Sequence, residues 1–209
     1  MITRQIVNLA RHNQITARLE AYRKLSKDGL TDCRAFHIEI NEERFHGGRP
    51  AFQPTWKPLI LLLKTFLGEP TDLDSMLAYQ SDHWGSSRGE TCVIESFGLT
   101  PNDPEPCKDR EIELWEQRQI DSALRERMES IHAHMFTFEP KFVVIYGKSQ
   151  VKYWMKFWKD NSVVVSLSDN IAKLRFTTVV FAQHPTSSGP GNQYWIELGQ
   201  RLRRESDFS

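Results

Sequence analysis

The first 25 residues place Ile2, Ile6, Leu9, Ile15, Leu19, Tyr22 and Leu25 at roughly helical spacing, with Arg, Asn and Glu between them. That pattern predicts an amphipathic opening helix, ended by Lys27-Asp28-Gly29. Phe36-His37-Ile38-Glu39-Ile40 alternates apolar and polar side chains and predicts a short strand, followed by the Gly-rich loop Phe45–Pro50. Lys57–Leu67 is apolar almost all round, with Pro58 suited to a first helical turn and Gly68 to the exit, so it predicts a buried helix. Thr71–Asp74 offers an N-cap for a short helix through Tyr79. Gly89–Ser96 predicts a second strand, running into the turn-rich stretch Gly98–Pro106. From about Asp109 to Met135 the apolar positions Ile112, Trp115, Ile120, Leu124, Met128 and Ile131 predict the longest helix, with Asp121 and Arg125 paired one turn apart. Lys141–Gly147 is the clearest strand, apolar without interruption as a central parallel strand is, and Ser149 can cap a helix to Trp158. Val163–Leu167 reads as a short extra strand, Thr177–Ala182 as a fourth core strand, and Tyr194–Arg204 as a closing helix.

Strands separated by helices or long crossovers predict an α/β fold: a three-layer α/β/α sandwich around a four-stranded, mostly parallel central sheet. The expected organisation is a single domain over residues 1–209, with residues 1–30 as a helical extension packed on it. Folds of this class place their sites at the carboxyl ends of the strands. Those ends carry Asn41-Glu42-Glu43, Glu95-Ser96-Phe97, Gly147-Lys148-Ser149 and His184-Pro185-Thr186.

Composition narrows the picture. The 209 residues hold 27 Lys+Arg and 27 Asp+Glu, so the formal net charge is zero and any nucleic-acid partner has to be held by a local basic patch. Cys33, Cys92 and Cys107 are widely spaced and include no Cys-x-x-Cys pair, which excludes a disulfide framework or a four-thiolate metal site built from them alone. The start of the chain lacks a signal-peptide pattern and Leu59–Leu63 is too short to span a bilayer, so a cytoplasmic protein without membrane contact is expected.

Several familiar chemistries are absent. Gly147-Lys148-Ser149 follows a strand, but a phosphate loop needs a glycine where Phe142 stands. What survives is a helix amino terminus with one Lys, either a holder for a DNA phosphate or a helix start with no ligand. His132 and His134 lie two apart on a helix and face different sides, which suits packing better than joint metal binding. No Gly-x-Ser-x-Gly elbow and no His-Glu-x-x-His occurs. Phe45, Phe52, Trp56 and Phe97 are each candidates either for the core or for stacking on a base.

Asn41-Glu42-Glu43 and His184-Pro185 pair groups able to orient or activate water with an imidazole able to hydrogen-bond an anionic leaving group. From about Ala35 to Arg204 the chain resembles the uracil-DNA glycosylase superfamily. Ile38-Glu39-Ile40-Asn41 is similar to that family's first-strand motif, Cys92–Thr100 to its second, Pro140–Lys148 to its third and Gln183–Gly189 to its fourth. The resemblance implies Asn41 as the water-handling residue, with Glu42 or Glu43 beside it, His184 as the group facing the departing base, and Phe45 as the stacking aromatic. It implies Glu95, Ser96 and Phe97 as base-reading positions. Gly47, Gly48, Arg49, Lys148, Ser149, Thr186, Ser187 and Ser188 are the implied DNA contacts. Glu39 and Glu42 stand where the family has Gly and Pro, Glu95 or Ser96 replaces its base-reading Asn, and no Leu follows His184-Pro185. Because a carboxylate accepts from an exocyclic amine such as cytosine N4, the expected substrate is a modified or damaged base, with a hypermodified cytosine of phage DNA as one such case. The expected activity is a monofunctional DNA glycosylase, acting as a monomer without metal or cofactor, in DNA repair or antiviral defence. The alternative is a non-catalytic module of the same kind that binds modified or damaged DNA.

Overall fold

The computed structural model describes residues 24, 32–41, 43–46, 50–86, 89–94, 125–160, 166–168, 170–174, 177–186 and 190–206. The chain forms two compact units, Met1–Val93 with Gly189–Ser209, and Ile94–Ser188.

In the first unit, Phe36–Ile40 is not a strand. Helix α1 covers Cys33–Glu39, started by Asp32, whose carboxylate accepts from the Ala35 N–H at 2.9 Å. A local cap outweighs five residues of alternation, which are too few to separate helix from strand. Asn41 follows in the left-handed region at φ 58°, which Asn tolerates, and Glu43–Phe45 form a 3-10 turn. Helix α2, Trp56–Leu67, is buried over Leu59–Lys64 and leaves through Gly68 at φ 73°, as its apolar run predicts. Its first turn is capped from upstream: the Gln53 amide oxygen accepts from Thr55 N at 2.6 Å and Trp56 N at 2.8 Å. Helix α3, Leu73–Asp82, begins at Asp72, which accepts from Ser75 N. The predicted strand over 89–96 is not found: residues 91–94 pair with no other strand, and 95–96 lie outside the described residues. The predicted opening helix also lies outside them apart from Lys24, which is helical and pairs with Glu39 at 2.8 Å.

The second unit holds the sheet. Its helix α4 is described over residues 125–138, and it is followed by β1, Phe142–Tyr146, helix α5, Lys148–Asp160, then β2, Ser166–Ser168, β3, Ile171–Leu174, and β4, Thr177–Ala182. The strand order is β1-β4-β3-β2, and only β1 with β4 is parallel; β2–β3 and β3–β4 are antiparallel. The expectation of a mostly parallel, four-stranded α/β/α sheet is therefore corrected to a mixed sheet. Two of the predicted parallel strands are not found among the described residues, and β2, β3 and β4 pair as an antiparallel meander, with Asn170 at φ 65°. The fully buried strand is β4, flanked on both sides, whereas β1 has β4 as its partner. Met128, Ile131, Met135, Trp154, Phe157, Trp158, Val179 and Phe181 close the core around it, and burying each such side chain contributes about 1.5–3 kcal/mol. Helix α6, Asn192–Ser206, belongs to the first unit and packs on α2, with Gly199 close to the Leu62 carbonyl and Trp195 and Leu202 buried.

Candidate functional site

The parallel pair β1/β4 brings two of the predicted segments together. Tyr146 lies opposite Ala182, and the Gly147 N–H donates to the Ala182 carbonyl at 3.0 Å. Gly147 at φ 98° bends the chain directly into α5. Lys148 opens that helix, so Ser149 lies within its first turn rather than capping it. The α5 amino terminus and the Gln183–Thr186 loop thus start at the same end of the sheet.

His184 is exposed there, with the Tyr146 ring edge-on at 5.3 Å. Its Nδ1 accepts from the Thr186 N–H at 3.3 Å and lies 3.0 Å from the Thr186 hydroxyl. A nitrogen that accepts from a backbone N–H carries no proton, so the neutral ring is protonated on Nε2. Tautomer and orientation are set by Thr186, two residues along the same loop.

The remaining predicted residues fall into three groups. Asn41 and Glu43 are exposed in the first unit, Asn41 beyond the carboxyl end of a helix and not of a strand. Phe45 is a core residue: it is 8% exposed and packs edge-on against His37 and Trp56, with the Arg44 guanidinium 4.7 Å from its ring centroid. Its burial places it among the packing aromatics rather than on an open face, and Trp56 is buried beside it. Glu42, Gly47, Gly48, Arg49, Glu95, Ser96, Phe97, Ser187 and Ser188 lie outside the described residues, as do the side chains of Lys148 and Ser149.

The first unit also holds a cluster that motif searches for paired cysteines or His-Glu-x-x-His do not detect. Cys33 and His37 are one turn apart on α1, and His46 follows the 3-10 turn. His37 Nδ1 lies 3.5 Å from Cys33 Sγ, 3.3 Å from His46 Nε2 and 2.8 Å from the Cys33 carbonyl oxygen. Phe36, Phe45 and Trp56 surround the His37 ring at 5.0–6.0 Å. Burial, then the neighbouring His37, holds His46 below the usual imidazole range; the Ser81 backbone opposes this, Arg34 adds to it, and Asp32 opposes it. The loop is fixed by Gln80 of α3, which is completely buried: its amide donates to the Phe45 and Ala51 carbonyls at 2.9 Å and accepts from Gln53 N at 3.1 Å. The sequence signal was the spacing Cys33-x-x-x-His37, legible only once residues 33–39 are known to be helical.

A surface groove lined by Thr65, Glu69, Ile196, Gln200 and Arg203 contains none of the predicted residues. Comparisons with protein-family models, with curated proteins and with solved structures give no match.

Proposed function

We propose that the chain is a DNA glycosylase that hydrolyses the N-glycosidic bond of a modified or damaged base. The observation that carries this reading is His184 at the carboxyl end of β4, with Thr186 holding its Nδ1 as an acceptor so that Nε2 bears the proton. An N–H donor so oriented stabilises negative charge developing on a departing base, an effect typically of about 2.7–4 kcal/mol for one preorganised group. In the proposed reaction a water oxygen bonds to C1′ and its proton passes to solvent. The C1′–N bond breaks and its electron pair leaves with the base, whose charge His184 Nε2–H stabilises. The target nucleotide is first extruded from the stack, at a cost of a few kcal/mol. The α5 amino terminus beside the same loop supports a phosphate contact, with Lys148 as the cation of that segment. The partner is DNA, and the scheme uses no metal or cofactor.

The test is product analysis after incubation with DNAs carrying different modified bases, read by mass spectrometry for a released nucleobase and by an abasic-site assay. His184→Ala is expected to lower cleavage by about a hundredfold or more, as for loss of one such donor, with an unchanged thermal midpoint. Parental activity in this variant would refute the assignment. The second reading, a non-catalytic DNA-binding module, is favoured by the neutral overall charge and the exposed Asn41; salt-sensitive binding to modified DNA without abasic product would establish it.

A further inference from the structure

We propose that Cys33, His37 and His46 form a binding site for a divalent transition metal of the zinc class, which ties α1 to the segment after the 3-10 turn. Zinc takes nitrogen at about 2.0–2.1 Å and sulfur at about 2.3 Å in a tetrahedron, whose edges are then about 3.3–3.4 Å between two nitrogens and about 3.5–3.6 Å between sulfur and nitrogen. The chain holds His37 Nδ1 and His46 Nε2 at 3.3 Å and Cys33 Sγ and His37 Nδ1 at 3.5 Å. All three donor atoms lie within 4.8 Å of one another, so one cation reaches them with a small adjustment of the thiol. A thiolate with two imidazoles is the donor set that zinc and cobalt favour.

The proton arrangement without a cation points the same way. The Cys33 carbonyl at 2.8 Å requires the His37 proton on Nδ1, which leaves His46 Nε2 to accept and puts the His46 proton on Nδ1. That nitrogen is buried and makes no well-formed hydrogen bond, although the Ser81 backbone lies close enough to favour the protonated ring. A cation shared by the two nitrogens and the sulfur moves the His37 proton to Nε2; it replaces the imidazole–imidazole contact and the Nδ1–H bond to the Cys33 carbonyl with two metal–nitrogen bonds and one metal–sulfur bond. The Cys33 thiol loses its proton to solvent on binding.

The ligands are positioned from outside. The Cys33 N–H donates to the Gly85 carbonyl at 2.9 Å, and Gly85 stands at φ 62° where an added Cβ would come within 2.8 Å of the Cys33 Cβ. Gln80 fixes the far side through the Phe45 carbonyl. Asn41 and Glu43 lie in the chain between ligands His37 and His46, so the metal would close a short loop around them. The fourth coordination position is left to water or a ligand. This inference does not depend on the glycosylase reading, because its test measures metal and not base release.

The experiment is zinc titration of the full, chelator-treated chain by calorimetry, with metal content by mass spectrometry and an absorption spectrum after cobalt addition. The expected result is one metal ion per chain, a higher thermal midpoint with zinc, and a thiolate-to-cobalt charge-transfer band. Cys33→Ser is expected to remove the band, and His46→Gln to weaken zinc binding at least about tenfold. A double Cys92→Ser, Cys107→Ser variant is expected to keep both. Absence of binding by the parent chain, a band that survives in Cys33→Ser, or unchanged affinity in His46→Gln would each overturn the site, and the first needs no variant to fold.

Discussion

Single residues decide the local geometry here through backbone conformation and proton placement. Gly147 stands at φ 98° between β1 and α5, with its N–H bonded to Ala182. A side chain there occupies a left-handed backbone region, so Gly147→Ala is expected to cost about 1–2 kcal/mol. Denaturant unfolding checks this: the midpoint should fall with an unchanged slope, and an unchanged midpoint would show that the turn relaxes freely. His184 depends on a residue two positions along in a similar way, since the Thr186 N–H fixes which nitrogen carries the proton. The identities of His184 and Thr186 were legible in the sequence. The tautomer was not, because it follows from a 3.3 Å contact and not from residue type.

At the scale of elements, the buried Gln80 joins α3 to the loop before α2. It satisfies two carbonyls and one N–H, and no sequence periodicity signals that a polar residue on α3 does this. Gln80→Ala strands those groups away from water, and the expected destabilisation is about 2–4 kcal/mol, read by thermal or chemical unfolding. A change below about 0.5 kcal/mol would mean that water replaces the amide. Elements with a strong local signature were read correctly: the long apolar run of α2, the capping stretch Thr71–Asp74 before α3, the apolar stretch of β1 and the β-branched, largely apolar stretch of β4. Residues 36–40 were misread because alternation over five positions is also compatible with a helix that Asp32 caps. That error hid the Cys33–His37 pair, whose side chains face one way only on a helix.

For the whole molecule, each unit holds a histidine whose charged form is disfavoured, His46 buried in the first and His132 half-buried in the second. Burial lowers the pKa of His46 in the first unit, with His37 adding to it, and burial alone lowers that of His132 in the second, where the ring packs on Phe136 and Phe157. Unfolded imidazoles titrate near 6.5, so below that pH the unfolded chain takes up protons that the folded chain refuses. This contribution to stability is present above about pH 6.5 and is lost as pH falls from there toward the folded-state values. In chelator, the thermal midpoint is expected to drop between about pH 7 and pH 5, and His46→Gln with His132→Gln should flatten that drop. A profile as steep in the double variant would assign the effect to other groups.

The linear pattern by itself determined the buried helix α2, the strands β1 and β4, the helices α5 and α6 and the identity of the chemistry-bearing side chains, since each follows from local hydrophobic spacing or residue type. Tertiary structure alone decided that the sheet is mixed, that Phe45 and Trp56 belong to a core, and that Cys33, His37 and His46 share one point in space. Strand direction and the meeting of distant side chains depend on which long-range contacts repay the entropy of closing the loops between them, and periodicity along the chain carries no record of that balance.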